Sequence, residues 1–160
     1  MENQSVDEIE FVINEYSNQL FRMGIVMLKN EEDAKDALQN VFIKYTQKRP
    51  EFASEEHRKA WLLRVYSNEC KDFLRYRKRH LHISYEENKE TLEQFGVEPD
   101  KTEVIALMQE LPYKYKSVLH LFYVEGYQTD EIADMLHISQ AAVRKRLQRA
   151  REQLKMELMR

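Results

Sequence analysis

Gln140, Arg144 and Lys145 stand within one and a half turns of a basic helical stretch, just behind a Ser and a short turn. In a DNA major groove an Arg pairs bidentately with guanine and a Gln with adenine, so this trio has the chemistry to read base edges. Arg146 and Arg149 carry the same charge further along, where guanidinium groups would hold phosphates and set register without reading sequence. A solvated, salt-bridging helix is the plain alternative, since many surface helices are rich in Arg and Lys. The charge here coincides with a turn and two helix caps, which favours the nucleic-acid reading.

The positioning elements are legible around that trio. Ile132, Ala133 and Leu136 recur at helical spacing, His137 and Ile138 form a turn, and Val143 and Leu147 continue the apolar stripe on a second helix. Thr129 is expected to cap the first helix and Ser139 the second, each offering a side-chain oxygen to unpaired amides. His137 stands where such turns usually have Gly, and His tolerates a left-handed backbone. The stretch Thr129 to Arg151 therefore reads as a helix-turn-helix with a cationic second helix.

The bulk properties bound the rest. In 160 residues, 33% are charged and only three are Gly and three Pro, which points to long helices and few turns; the mean hydropathy is −0.72. No apolar run approaches the roughly 20 residues that span a bilayer, and the acidic start lacks the layout of a secretory signal. No membrane insertion and a cytoplasmic location are expected. A single Cys, Cys70, excludes an internal disulfide and reads as core. The net charge of −3 conceals segregation. Glu2, Asp7, Glu8, Glu10 and Glu15 make the start acidic, and Lys71, Arg75, Arg77, Lys78 and Arg79 form a basic block. Glu86 to Glu103 is acidic again. Two separated basic surfaces imply contact with DNA at two places.

Apolar periodicity gives an all-α chain. Ile9, Val12, Ile13, Tyr16, Leu20, Met23 and Met27 mark a first helix; Asn30 caps a second, to Lys48, burying Ala34, Ala37, Leu38, Val41, Phe42 and Tyr45. Arg49 to Ser54 reads as a loop, and Ser54 caps a third helix to about Arg79 with Trp61, Leu62, Val65, Tyr66, Phe73 and Leu74 as its stripe. Residues 80–100 lack sustained periodicity and read as a flexible linker with at most a short helix. A helix over Lys101 to Glu110 follows, then one with Pro112 in its first turn that Gly126 ends, then the helix-turn-helix. The expected organisation is a three-helix domain over 1–79, a linker over 80–100 and a four-helix domain over 101–160.

The string ELPYKYKSVLHLFYVEGYQTDEIADMLHISQAAVRKRLQRAREQL resembles domain 4 of bacterial sigma factors, especially the small extracytoplasmic-function (ECF) group of the sigma-70 family. DAKDALQNVFIKYTQK, Asp33 to Lys48, is similar to that family's polymerase-binding helix, and AWLLRVYSNECKDFLRYRKR, Ala60 to Arg79, to its minus-10 helix. The resemblance implies a promoter-specificity subunit without an active site of its own. Its minus-35 contacts would be Ser139, Gln140, Ala142, Arg144, Lys145, Arg146 and Arg149. Its minus-10 contacts would be Arg64, Asn68, Asp72, Arg75, Tyr76, Lys78 and Arg79. Asp36, Gln39, Asn40 and Ile43 would present the polymerase-docking edge, for which a merely solvated face is the alternative.

Holding a melted strand needs cations for its backbone and aromatic or pocket residues for its bases, which the third helix supplies. Arg75, Arg77, Lys78 and Arg79 read as phosphate contacts, Trp61 as core more than stacking platform, and Arg49 to Ser54 as the family's base-capturing loop. The implied partners are core RNA polymerase, promoter DNA and an anti-sigma factor. A helix-turn-helix regulator that does not bind polymerase is the competing reading. No metalloprotease, phosphate-loop or CxxC motif is present, and His80 and His82 read as linker, so neither enzyme, metal nor cofactor is expected.

Overall fold

A computed structural model describes residues 2–79 and 88–159. Helix α1, Glu2–Leu28, packs antiparallel to α2, Glu31–Lys48, through a two-residue turn. Lys29 of that turn is left-handed at φ 55°. Asn30 then caps α2, its side chain accepting from Asp33 N at 2.9 Å. Arg49, also left-handed, ends α2, and Ser54 caps α3, Glu55–Arg79, by accepting from His57 N at 3.2 Å. Val12, Leu20, Met23 and Met27 of α1 meet Ala34, Ala37 and Val41 of α2 and Leu62, Leu63 and Tyr66 of α3 in a closed core.

Gly24 lies where these helices cross. A Cβ there would fall 1.9 Å from the Tyr66 hydroxyl and 3.0 Å from Ala34 Cβ. The bare backbone leaves room for Tyr66 to donate to Ala34 O at 3.2 Å.

The stretch expected as a linker is partly built. Residues 80–87, with His80 and His82, lie outside the described residues. Helix α4, Lys89–Gln94, is the short helix the sequence allowed, yet the segment is not a free tether. Leu92 and Val97 are buried, and Phe95 packs on Phe21 of α1 with ring centroids 4.6 Å apart. Three apolar side chains in an otherwise acidic run suffice to seat it.

The C-terminal unit comprises α5, Thr102–Gln109; α6, Tyr113–Leu119; a π turn over His120–Val124; α7, Thr129–Leu136; and α8, Gln140–Leu158. Pro112 sits one position earlier than its expected place in the first turn, as the N-cap of α6. Gly126, at φ 78°, closes the π turn. Ile105, Met108, Leu119, Leu121, Ile132, Val143, Leu147 and Ala150 form the core of this unit. The two units also touch: α3 lies along α7, and α1 along α5 and α6.

Candidate nucleic-acid interface

The helix-turn-helix is pinned at each end of its turn. His137 takes the left-handed conformation, φ 57° and ψ 49°, and its N–H bonds to Ala133 O. Ser139 caps α8 as expected, accepting from Ala142 N at 3.0 Å. The cap of α7 differs from expectation. Gln128, not Thr129, occupies it in a capping box, its own N–H bonded to Glu131 Oε1 at 3.0 Å. A Glu three residues on completes the box, whereas Thr129 one position later has helical backbone. Its hydroxyl instead accepts from Gln140 Nε2 at 2.9 Å, tying together the starts of α7 and α8.

Burial of Val143, Leu147 and Ala150 turns the rest of α8 outward. Ser139, Gln140, Arg144, Lys145 and Arg149 are exposed, while Ala142 and Arg146 are half-buried at the margin. Arg151 is exposed but folds back, donating to the Tyr123 hydroxyl at 2.6 Å with its guanidinium over the Phe122 and Tyr123 rings.

On α3 the residues expected to face a single strand separate into two groups. Asn68, Asp72, Arg75, Tyr76, Lys78 and Arg79 are exposed, and Asp72 and Arg75 form a solvent-facing pair at 3.4 Å. Arg64 is half-buried and donates to Asp134 O of α7 at 3.1 Å.

Arg77 is a correction. Read as a phosphate contact, it is only 7% exposed and points into its own domain, donating to Asp33 and to Leu28 O. Helical phase decides this, because Arg77 shares the inward face with Tyr66 and Cys70.

Behind the loop Arg49 to Ser54 lies a cleft of about 710 Å³, walled by Tyr45, Arg49, Phe52 and Arg58 and closed by Glu8 of α1. Tyr45, Phe52 and Trp61 pack edge to face or stacked at 5.7 to 6.1 Å, which makes Trp61 part of an aromatic core and not an open platform. The Tyr45 hydroxyl donates to Glu8 Oε1 at 2.6 Å, and burial followed by this bond pushes its pKa up. The sequence marks Glu8 only as part of an acidic start and Tyr45 only as core of the second helix, and gives no sign of Arg58 at this cleft. No spacing rule joins a carboxylate near the start of the chain to a loop some forty residues later.

On α2, Asp36, Gln39 and Ile43 are exposed, Ile43 by half. Asn40 is half-buried and donates to Glu69 Oε2 of α3 at 3.2 Å. A cleft of about 460 Å³ runs beside this edge, between Ile13 of α1 and Leu38, Gln39 and Phe42 of α2. The described residues contain no group of three His, Cys, Asp or Glu side chains able to hold a metal ion. Cys70 is buried, and desolvation pushes its thiol pKa well up, so it stays protonated in the core.

Two family models match this architecture unit by unit, "Sigma-70 region 2" over residues 12–80 and "Sigma-70, region 4" over residues 101–154. The chain is 30% identical to the ECF RNA polymerase sigma factor SigM of Bacillus subtilis, over 92% of this chain and 93% of that one. It belongs to the sigma-70 family of RNA polymerase sigma factors, in the ECF group.

Solved sigma-factor structures share the fold across both units. The structure of CnrH in complex with the cytosolic domain of CnrY superposes with a TM-score of 0.70 at 21% identity, covering 94% of this chain and 86% of that one. The sigma factor RpoE in complex with the anti-sigma factor NepR from Bartonella quintana superposes with 0.67 at 19%, covering 98% and 97%. As a sigma factor the chain is not an enzyme, and the reading of a regulator unrelated to polymerase is set aside. Among the described residues no helix is long and apolar enough to cross a membrane.

Proposed function

We propose that this sigma factor grips a promoter at two points, with residues 101–160 on the minus-35 duplex and residues 1–79 on the melted minus-10 strand. The observation that carries the proposal is the outward display of two basic helix faces, the end of α3 in one unit and α8 in the other. Gln140, Arg144 and Lys145 would read minus-35 base edges, Ser139 and Ala142 would let the backbone approach, and Arg146 and Arg149 would hold phosphates. Asn68, Asp72 and Tyr76 would meet unstacked bases while Arg64, Arg75, Lys78 and Arg79 neutralise the strand.

Asp36, Gln39, Asn40 and Ile43 would dock core polymerase, with the neighbouring cleft receiving an apolar side chain of the partner. Polymerase performs the nucleotidyl transfer, and the sigma factor lowers the cost of melting by binding the separated strand. Residues 80–100 would join the two grips. Control by an anti-sigma factor is part of the proposal, supported by the Bartonella quintana relative's complex with NepR. A cytoplasmic location follows from that role.

Run-off transcription with core polymerase on a library of promoter sequences tests the assignment. Arg144→Ala should weaken minus-35 duplex binding by about tenfold, the worth of one base contact. Asn68→Ala should slow promoter opening, read by permanganate reactivity, while duplex affinity stays near normal. Normal opening rates in both variants would overturn the division of labour.

A further inference from the structure

Glu8 of α1 lines the cleft behind the Arg49 to Ser54 loop, and side chains from the other two helices of the unit hold its carboxylate there. Tyr45 of α2 donates to Glu8 Oε1 at 2.6 Å, and burial followed by this bond keeps the tyrosine pKa above its usual value, so the hydroxyl stays a donor. Arg58 Nη2 of α3 lies 3.5 Å from the same oxygen. Arg58 is itself fixed. Its Nη1 meets Glu55 Oε1 at 2.7 Å, its guanidinium faces the Phe11 and Phe52 rings at 5.9 and 5.7 Å, and Tyr16 donates to the other oxygen of Glu55 at 2.9 Å. Both contacts to Glu8 fall on Oε1, and its side chain is 44% exposed, which leaves Oε2 as the acceptor that a ligand would meet.

The cleft does not have the charge of a phosphate site. Glu8, Glu10 and Glu51 set three carboxylates against the guanidinium groups of Arg49 and Arg58, and Arg58 is already paired with Glu8 and Glu55. Phosphates would find their cations at the far end of α3, where Arg75, Lys78 and Arg79 are exposed. The aromatic wall of Tyr45 and Phe52 and the volume of about 710 Å³ instead fit an uncharged flat group. An unstacked nucleobase is such a group, read by stacking on aromatic or apolar walls and by hydrogen bonds to its edge. Arg58 precedes Asn68 by ten residues, about 15 Å along α3, so a strand resting on Asn68 would reach the cleft within a few nucleotides.

A carboxylate oxygen can only accept. It pairs with an exocyclic amine and is repelled by a carbonyl oxygen in the same place, and there cytosine carries its N4 amine and thymine its O4. We infer that Glu8 selects the base that enters the cleft, favouring one with an exocyclic amine over thymine, and that Tyr45 and Arg58 position its carboxylate for this. The inference rests on the two-point grip proposed above. It gives α1 a direct part in reading the melted strand.

Glu8 stands one turn ahead of Val12, the first core residue of α1 among the described residues, so its substitution spares the fold. Holoenzyme assembled from the full chain and core polymerase is titrated with forked promoter DNA whose single-stranded minus-10 segment carries each of the four bases at each position in turn. The wild type should prefer cytosine or adenine to thymine by about tenfold at one position. Glu8→Gln keeps the shape and the acceptor for Tyr45 but puts an amide donor in place of Oε2. The preference at that position should then fall to about twofold or less, or pass to thymine, with preferences elsewhere unchanged. Tyr45→Phe, which frees the carboxylate to turn, should give an intermediate ratio at the same position. Retention of the wild-type ratio in Glu8→Gln would overturn the inference. So would an affinity change of equal size for all four bases, which makes Glu8 a plain charge, or a wild type that binds the fork without preference at any position. Failure of the two-point grip would show differently, as a wild-type holoenzyme that does not bind the fork at all.

Discussion

Arg77 of α3 and Asp33 of α2 are joined inside the N-terminal domain, with Arg77 Nε 3.1 Å from Asp33 Oδ2. The same guanidinium donates to Leu28 O, so it neutralises the C-terminal end of α1 and the first turn of α2 together. With Lys29 left-handed and Asn30 capping, it makes the α1–α2 turn a fixed corner.

Arg77→Ala should therefore act on stability and not selectively on DNA. Breaking a largely buried pair leaves Asp33 and a helix-end carbonyl without their cation, a loss of about 3 kcal/mol. Arg75→Ala and Lys78→Ala should leave thermal unfolding unchanged and flatten the salt dependence of promoter binding. Calorimetry and binding titrations at several salt concentrations separate the two classes.

Gly24→Ala should destabilise the same domain by about 1–3 kcal/mol, because the new methyl overlaps the Tyr66 hydroxyl. Tyr66→Phe alone should lose about 1 kcal/mol with the hydrogen bond to Ala34 O. Combined, the two should cost less than their sum, since removing the hydroxyl relieves the overlap. Denaturant midpoints of the singles and the double give the comparison; strict additivity would show that crowding at Tyr66 is not the cause.

Lys116 is 6% exposed, and its Nζ donates to Gln109 O at 3.3 Å. Burial, and then the like charges of Lys29 and Arg77, lower its pKa from 10.5 to about 8. Below pH 8 the ammonium is charged in both folded and unfolded chains, and the folded state carries the full burden. From pH 8 to 10.5 the unfolded chain binds more protons, so this group's contribution to stability rises with pH. Lys116→Met should stabilise the protein at pH 7 by about 1–4 kcal/mol, and the gain should shrink toward pH 10. Thermal midpoints of both proteins across that range are the measurement.

Glu125 has the opposite sign. Burial alone would raise its pKa, but the His120 imidazole 3.1 Å away and the two hydrogen bonds from Arg22 bring it down from 4.5 to about 2. Its contribution, on the order of 3 kcal/mol, is fully present above pH 4.5 and is lost as pH falls toward 2. The stability difference between wild type and Glu125→Gln should thus narrow steeply through that window. A difference independent of pH would show that the carboxylate charge is not what matters.

The sequence by itself determined what depends on neighbours along the chain. Period located α2, α3, α7 and α8, the caps Asn30, Ser54 and Ser139 marked three of their starts, His137 and Ser139 fixed the turn between the last two, and the outward face of Arg144 and Lys145 followed from the apolar stripe of Val143 and Leu147. Phase was available for Arg77 as well, but its place in a basic run masked it, since charge composition does not tell which Arg of a run turns inward. Tertiary structure alone decided the contacts whose partners are far apart in the chain. Glu8 with Tyr45, Gly24 with Tyr66, and Arg22 with both Phe95 and Glu125 are examples. Such pairs follow from how helices cross, and crossing geometry is set by the packing of many side chains at once, which no local spacing encodes.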